Sequence, residues 1–485
     1  MSTQTHLRVA AASLLAVTPS LSACAAPDLG PRPQMSAPGS FASAKSLASA
    51  ADVRTWPGQR WWTAYGDPQL DALVEEALKG SPSVAIAQAR IRQARGAAEV
   101  AGAATLPSIG GQASGGATKQ SYNNGIPSNF VPHGWKSTGT LALTGDFDLD
   151  LWGKNRKALA AATSEAEAAE ADARQAELML SSNVVSSYFD LARLIARGQA
   201  LADASKARAA LVDLTGQRAR EGLESEAPLR RSEAEAASAR AALSANSEQI
   251  LLRRHALAAL VGAGPDRGLS ITPPALDTLP ESGVPDDAGI ALAGRRPDIA
   301  AARLRAEAAA SRIGVAKADY LPDISLRGLI GLTSLGISNL FDSGSTYGNA
   351  GGALSLPVFR GDQLRGNFRQ ARGRYDEAVA NYNATVAGAL QEVADALASR
   401  EAAGSQERDA AEAAAKSQAA YDISMKRYRG GLSSYLDALT AQTAALQARE
   451  AAVDAHFRTL ALEVALKRAL GGGFDDNSSE KASGK

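Results

Sequence analysis

Two stretches of the chain repeat apolar residues at every seventh position, the spacing of a coiled-coil seam. They run from Leu229 to Leu257 and from Leu432 to Leu460. Longer stretches precede them: Gly153 to Gly222 contains no proline, and Gly361 to Gly430 has a similar length. At 1.5 Å per residue, each predicts a helix of roughly 100 Å. Because narrow seams bury little surface alone, these helices need neighbours. An ordinary helical bundle is the alternative interpretation.

Four shorter segments change to alternation of apolar and polar residues. Alternation is clear in residues 141–151, 324–333 and 354–358 and weaker in residues 106–118. About ten alternating residues fit a strand with one face in lipid and the other in water, although a soluble two-sided hairpin would alternate in the same way. Loops of Gly, Asn, Ser and Pro at residues 119–134 and 335–350 predict that the strands form two pairs.

Three carboxylates share one face of the strand predicted at residues 141–151. Asp146, Asp148 and Asp150 cannot face lipid, so we expect them to meet water and to line a barrel lumen. Four strands cannot close a barrel, and an open sheet edge in lipid leaves backbone groups unpaired at several kcal/mol each. The strands therefore predict either a soluble role or a barrel made by several chains, and a trimer would supply twelve strands.

The two sets of elements are copies of one another, about 210 residues apart. The segment from Phe147 to Lys154 corresponds to the segment from Leu354 to Gly361. Further on, Arg220-Glu221-Gly222-Leu223 corresponds to Arg429-Gly430-Gly431-Leu432. A repeat this long indicates a duplicated half-protein rather than a solenoid unit.

The start of the chain has the layout of a secretory signal. Arg8 precedes a short apolar run, and Leu21-Ser22-Ala23 precede Cys24, the only cysteine. This arrangement resembles the bacterial lipoprotein signal, in which the cysteine is acylated and becomes the first residue; an ordinary cleaved signal is the alternative. Because Ala25 rather than an aspartate follows, outer-membrane sorting is expected. With one cysteine, no intramolecular disulfide is expected.

Composition excludes several classes of function. Lys and Arg together number 51, as do Asp and Glu, so a nucleic-acid partner is not expected. Past the N-terminus, no apolar run reaches 18 residues, so no membrane-spanning helix is predicted. The four histidines share no metal-ligand spacing, and no catalytic constellation stands out. We therefore predict a protein that is not an enzyme and that holds no metal or cofactor.

Four signatures in the chain resemble those of the TolC-like outer membrane factors, in the lipoprotein branch that serves resistance-nodulation-division efflux pumps. They are Trp61 to Leu70, Asp146 to Lys154, Arg296-Pro297-Asp298-Ile299 and Tyr428-Arg429-Gly430-Gly431. The resemblance covers nearly the whole chain. Arg303 departs from the pattern, since the family usually carries Glu there.

The resemblance implies a mixed α/β membrane protein, mainly α, that assembles as a homotrimer. Each chain would give four strands to a 12-stranded outer-membrane β-barrel, continuous with a long α-helical coiled-coil tunnel in the periplasm. The implied function is a passive exit duct for drugs or other small molecules. Its implied partners are a periplasmic adaptor (membrane fusion) protein, an inner-membrane efflux pump and outer-membrane lipid, to which Cys24 would anchor the chain.

On this basis the chain divides into ten segments. They are a signal peptide (1–23), a lipid-anchored extended tether (24–55), an equatorial segment with the first tunnel helix (56–104), the first barrel hairpin (105–152), a long tunnel helix pair with its tip at 222 (153–261), an equatorial segment (262–297), a tunnel helix (298–319), the second barrel hairpin (320–359), a second long helix pair with its tip at 430–431 (360–470), and a disordered tail (471–485).

The two glycine turns are the predicted periplasmic tips. Glycine permits a tight reversal, and the resemblance implies that the tips also contact the adaptor. The tip residues are Gly222, Leu223, Gly430, Gly431 and Leu432. The resemblance further implies that Tyr428 closes the tunnel and that Asp437 forms an acidic ring around the three-fold axis. The alternatives are a mere helix connection for the turns and a helix-start aspartate for Asp437.

Two other functions compete with the efflux duct. One is a lipid-anchored coiled-coil spacer of the cell envelope that forms no pore, and the carboxylates Asp146, Asp148 and Asp150 argue against it. The other is an outer-membrane duct for type I protein secretion, which would have the same fold. The sequence of a passive tunnel contains little information about its cargo, so this second alternative stays open.

Overall fold

The computed structural model describes residues 27–48, 55–275, 283–357 and 360–476. Cys24 and the predicted signal peptide lie outside these ranges. The chain falls into two compact units. One contains Ile91–Ala168, Ala302–Asn381 and the N-terminal segment up to Met35; the other contains Ser36–Arg90, Ala169–Ala301 and the residues from Tyr382 onward.

The main elements are nine helices and four strands within the described ranges. In chain order they are α1 (Pro68–Gly80), α2 (Pro82–Ala103), β1 (Ser108–Thr118), β2 (Lys136–Asp148), α3 (Lys154–Arg220), α4 (Glu226–Leu260), α5 (Asp266–Leu269), α6 (Ala288–Arg295), α7 (Pro297–Ala318), β3 (Asp323–Leu335), β4 (Thr346–Ser355), α8 (Gly361–Arg429) and α9 (Tyr435–Ala469). No helix in the described part of the chain is both long enough and apolar enough to cross a membrane.

The internal duplication is confirmed by the lengths of matching elements. Helices α3 and α8 have 67 and 69 residues, and α4 and α9 have 35 residues each. A strand pair precedes each long helix. The mainly helical fold with four strands is therefore the one that the sequence predicted.

The first unit contains an antiparallel sheet in the order β1-β2-β3-β4. Residues paired across an antiparallel ladder share one face of the sheet. Leu143 pairs with Ile330 and Phe147 with Leu326, whereas Thr140 pairs with Thr333 on the opposite face. One face is therefore apolar and the other polar. The apolar face is open, since Leu143 is 56% exposed and Ile330 is 64% exposed.

Asp150 corrects one prediction, because it does not belong to the strand. Strand β2 ends at Asp148, and Asp150 has a left-handed backbone with φ of 43°. Its carboxylate accepts hydrogen bonds from the backbone N–H groups of Asn155 (2.9 Å) and Arg156 (3.0 Å). The strand alternation continues past the strand end, but Asp150 instead satisfies the first N–H groups of α3.

The second unit packs α1 against three of the long helices. Leu73 of α1, Val184 of α3 and Leu257 of α4 are fully buried, and Leu460 of α9 is 2% exposed. These residues form one cluster, which supplies the neighbours that the narrow apolar stripes require.

Asp67 explains the first sequence signature. It caps α1 by accepting the N–H of Gln69 at 2.9 Å. It also accepts the Tyr188 hydroxyl at 2.6 Å and the backbone N–H of Ala275 at 3.2 Å. Gln69 in turn accepts the N–H of Thr272 at 2.9 Å. The signature therefore ties the segment after α5 to α1 and α3.

Arg296 explains the mid-chain signature in the same way. It is 6% exposed, and its guanidinium donates to Asp298 at 2.7 Å, to Glu392 at 2.8 Å and to the Ala469 carbonyl at 3.0 Å. A buried guanidinium needs such partners to offset its loss of hydration. One arginine thus joins the start of α7, the middle of α8 and the end of α9.

The prediction of a disordered tail over residues 471–485 is wrong for residues 471–476, and the rest of that segment lies outside the described ranges. Gly471, Gly472 and Gly473 all have positive φ, and Asp476 donates its N–H to the Gly294 carbonyl at 2.8 Å. A Cβ at Gly471 would lie 1.8 Å from the Arg295 carbonyl oxygen. These glycines therefore form a close-packed end to α9, where positive φ and tight contacts, rather than chain flexibility, require glycine.

A segment near the N-terminus forms a strap along α8, defined here as residues 30–33. Arg372 donates to the Gly30 carbonyl at 3.2 Å and also to the Pro31 carbonyl. The Tyr375 hydroxyl donates to the Pro33 carbonyl at 3.1 Å. Because both residue numbers increase together, the strap and α8 run in the same direction.

Candidate functional site at the helix turns

The two helix turns have the same backbone conformation. Gly222 and Gly431 both have φ of 74°. In each turn the backbone N–H of the leucine after the glycine donates to the carbonyl five residues earlier. Leu223 donates to the Arg218 carbonyl and Leu432 to the Arg427 carbonyl, both at 2.8 Å. This is the Schellman ending of a helix, which favours glycine at the left-handed position.

Each turn exposes one leucine. Leu223 is 62% exposed and Leu432 is 73% exposed. Nothing lies within 4 Å of a Cβ added at Gly222 or Gly431. The turns are therefore open surfaces, and larger residues at these glycines would be opposed by backbone strain rather than by neighbouring atoms.

Tyr428 lies in a buried cluster formed by both turns. It is fully buried, and its ring meets that of Tyr435 edge-on at 6.2 Å. Its hydroxyl donates to the Glu224 carboxylate at 2.9 Å. The Arg218 guanidinium lies 5.1 Å from the ring centroid and 3.3 Å from the Glu224 carboxylate. Tyr428 of the second turn is thus held by Glu224 and Arg218, which flank the first turn.

The cluster keeps Tyr428 protonated. Burial raises the pKa of the Tyr428 phenol well above its usual range, and the hydrogen bond to Glu224 raises it further. A raised folded-state pKa means that the contribution of this proton is present below the ordinary phenol pKa and is lost only as pH rises through the higher value. The contact is therefore insensitive to pH near neutrality.

Asp437 lies in a capping box rather than in the Tyr428 cluster. Its carboxylate accepts the backbone N–H of Ser434 at 3.0 Å and the Ser434 hydroxyl at 2.9 Å, and Ser434 accepts the N–H of Asp437 at 3.2 Å. The hydroxyl hydrogen bond is the main cause that lowers the pKa of Asp437. This capping explains why α9 begins here; the ring around a three-fold axis stays a prediction.

The sequence pattern does not single out Arg218 or Glu224. The signal lay in the differences between the duplicated halves. Tyr428 corresponds to Ala219, and Glu224 corresponds to Ser433. Ala219 and Ser433 therefore cannot form the hydrogen bond that joins Tyr428 to Glu224. Their separation of 204 residues hid the contact.

The predicted lumen carboxylates have different surroundings. Asp146 lies on the polar face of the sheet and makes an ion pair with Arg327 at 3.4 Å. Asp148 lies on the same face, opposite Ser325, and Asp150 caps α3 as described. The polar face therefore carries two of the three carboxylates, and a lumen position for them stays a prediction. Among the described residues, no group of acids and histidines could hold a metal ion.

Comparison with known proteins gives consistent matches along the chain. The family described as "Outer membrane efflux protein" matches residues 73–263 and 291–472. The fusaric acid resistance protein FusA of Burkholderia cepacia is 35% identical over 336 residues, which are 66% of this chain and 62% of FusA. The multidrug resistance outer membrane protein MdtP of Escherichia coli is 29% identical over 319 residues, 64% of this chain and 65% of MdtP. The chain therefore spans less than two thirds of these curated relatives.

Solved structures match over more of the chain. The outer membrane protein VceC of Vibrio cholerae is 43% identical with a TM-score of 0.81, covering 87% of this chain and 100% of VceC. The CmeC outer membrane channel of Campylobacter jejuni is 26% identical with a TM-score of 0.85, covering 94% of this chain and 97% of CmeC.

Proposed function

Because the chain belongs to the outer membrane efflux protein family, we propose that it is the passive exit duct of a tripartite pump that expels drugs or other small molecules across the outer membrane. The observation that carries this proposal is the two-faced sheet. A sheet with one open apolar face and one polar face suits the boundary between lipid and a water-filled pore.

Closure of the pore requires other chains. β1 and β4 are the edges of the described sheet, and an unpaired edge in lipid is costly. Pairing of β1 with β4 of a neighbouring subunit in a homotrimer gives twelve strands without a free edge. In that barrel the apolar face contacts lipid, and Asp146 and Asp148 face the lumen.

The long helices serve as the periplasmic conduit. α3 and α8 are each roughly 100 Å long, and they end at the two turns with their buried Tyr428 cluster. A buried tyrosine whose hydroxyl and ring both have contacts is suited to hold the end of the tunnel closed. The exposed turns then bind a periplasmic adaptor, which couples the duct to an inner-membrane pump.

The N-terminus supplies a membrane anchor in this proposal. The proposed acylation at Cys24 attaches the chain to the outer membrane.

The test is purification in detergent followed by reconstitution into planar bilayers. We expect a trimer that migrates differently in electrophoresis before and after heating, and ion conductance in the bilayer. Ile330→Asp places a charge on the apolar face and should weaken insertion, at a cost below the roughly 2–4 kcal/mol that Arg or Lys has at mid-membrane. Thr333→Asp, on the polar face of the same strand, is the matched control and should insert.

A monomer that leaves bilayers silent would refute the duct. Equal insertion of the two variants would contradict the proposal that the apolar face of the sheet contacts lipid. A conducting trimer that restores secretion of a protein, but not drug resistance, to cells lacking their own ducts would favour type I secretion.

A further inference from the structure

The apolar face of the sheet loses its large side chains near one end. On β2 the last of them is Leu141, because the next residues on that face are Gly139 and Ser137. The residue of β1 that pairs with Gly139 is Gly115. Two facing glycines leave a hollow in the surface of the sheet, since neither has a side chain. Gly139 is nevertheless buried, so another part of the chain covers it.

The β3–β4 loop, residues 336–345, fills this hollow. A Cβ built on Gly139 would lie 3.2 Å from Cδ2 of Leu340 and 3.3 Å from Cγ1 of Ile337. A Cβ built on Gly115 would lie 3.6 Å from Cδ1 of Ile337. The loop therefore folds back onto the apolar face of the sheet, and its side chains take the place of the missing strand side chains.

Several backbone N–H groups of the β3–β4 loop are paired, as contact with lipid requires. Gly336 donates to the Ser137 carbonyl at 2.6 Å, and Ile337 donates to the Ser137 hydroxyl at 3.0 Å. Within the loop, Asn339 donates to the Gly336 carbonyl at 3.0 Å, and Asp342 donates to the Asn339 carbonyl at 3.1 Å. Gly336 has φ of 98°, a conformation that favours glycine and turns the chain back toward β2.

The loop leaves apolar side chains open to its surroundings. Ile337 is 55% exposed and Phe341 is 78% exposed. Ile337 extends the open apolar face that includes Ile330. Asp342, which follows Phe341, is the only charged residue of the loop. A continuous open apolar surface of this kind indicates a contact with an apolar partner.

The height of the apolar band indicates which partner this is. The large apolar side chains of this face run from Leu141 to Leu149, eight residues further along the chain. At about 3.4 Å per residue and a strand tilt of about 40°, this band is roughly 20 Å tall. The outward apolar band of membrane barrels is about 25 Å tall. Cover of Gly139 by the loop adds two residues, so the band reaches roughly 25 Å.

We propose that the β3–β4 loop is a lipid-contact element that completes the apolar band of the barrel, with Ile337 and Phe341 against the acyl chains of the outer leaflet. The loop joins strand ends opposite to those that lead into α3 and α8, which puts it on the extracellular side. This inference rests on the proposed barrel and adds the element that contacts the outer leaflet. Because it lies against the lipid side of the sheet, the loop does not cover the mouth of the pore.

Spin labels test where the loop lies. Phe341→Cys and Thr333→Cys each take a nitroxide, and the full-length trimer is reconstituted into vesicles of phosphatidylethanolamine and phosphatidylglycerol. Electron paramagnetic resonance measures collisions of the label with oxygen, which concentrates in lipid, and with a water-soluble nickel chelate. Thr333 lies on the polar face, so its label is the water reference. The parent protein treated in the same way gives the background from Cys24.

We expect the ratio of oxygen to nickel collisions to be about fivefold higher at residue 341 than at residue 333, because the hydrocarbon core excludes water and its solutes. This comparison needs no change to the packing of the sheet.

A matched pair of variants tests whether the hollow holds the loop. Gly139→Leu puts a side chain where Ile337 and Leu340 pack, so the label at residue 341 should lose most of its excess of oxygen collisions. Gly145→Leu adds the same side chain to the same face, where the nearest atom to a Cβ is the Ser108 carbonyl oxygen at 3.9 Å. This control should keep the ratio. Trimer migration and bilayer conductance establish that both variants are assembled.

Three results would overturn the proposal. The first is an equal collision ratio at residues 341 and 333, and the second is an equal fall in the two leucine variants. The third is a label at residue 341 that neither reagent reaches, which would indicate a protein neighbour instead of lipid. In each case a conducting trimer still supports the duct. A parent protein that neither forms trimers nor conducts would instead remove the proposed function, and this inference with it.

Discussion

Replacing Tyr428 with phenylalanine tests whether its cluster holds the tunnel end closed. The substitution keeps the ring contacts to Arg218 and Tyr435 but removes the hydroxyl that donates to Glu224. Hydrogen bonds to charged groups contribute about 1.5–3 kcal/mol. Since Glu224 keeps Arg218 as a partner, we take the lower end, about 1.5 kcal/mol per chain.

That loss corresponds to about a tenfold shift toward the open state for each chain. If the three chains open in one concerted step and each loses this hydrogen bond, the three factors multiply to about a thousand. The assay is open probability in single-channel recordings from planar bilayers at neutral pH. Because the pKa of Tyr428 is raised, the parent should keep the contact throughout the range from about pH 6 to 9.

Tyr435→Phe is the matched control. Tyr435 belongs to the same cluster, but its buried hydroxyl has no hydrogen-bond partner among the described residues. Its removal should leave open probability unchanged. An unaltered open probability in Tyr428→Phe, or an equal increase in Tyr435→Phe, would contradict the assignment of the Tyr428–Glu224 bond to closure.

Two further substitutions test the turns. Gly431→Val forces a β-branched residue into a left-handed backbone at about 1–2 kcal/mol; we expect chemical cross-linking to the adaptor to fail while trimers persist, and normal cross-linking would exclude the turn as a contact. Asp437→Ala removes the proposed acidic ring and should lower the cation preference in single-channel recordings, whereas unchanged preference would leave Asp437 with the capping role alone. The capping contribution itself should be lost only as pH falls through the lowered pKa of Asp437, because a depressed folded-state pKa stabilises above the ordinary carboxyl value.

The sequence was sufficient to predict the helices and the sheet, because their signals are local. Absence of proline between Gly153 and Gly222 predicts one long helix, and the structure has α3 there. Alternation around Leu143 predicts a strand with one apolar face, as in β2. Both arguments need only periodicity along a few turns or residues.

The predictions are wrong at residues whose structure depends on neighbouring elements rather than on the local sequence pattern. Asp150 continues the alternation of β2, but it caps α3 because the next residues begin a helix. Gly471–Gly473 resemble a flexible tail, but neighbouring atoms leave no space for side chains there. No periodicity could join Glu224 to Tyr428, since their contact exists only after two helix pairs come together.

The strap along α8 sets a limit on how far the N-terminus reaches. Arg372, which binds the Gly30 carbonyl, lies about three turns into α8, or about 16 Å from its first residue. Six peptide links join Gly30 to Cys24, so Cys24 can lie no farther than about 20 Å from the strap. If Cys24 is acylated as proposed, the point where the lipid is attached therefore lies within that distance of the strap. Arg372 and Tyr375 would thus couple the position of the lipid anchor to that of α8, which follows the last barrel strand in the chain.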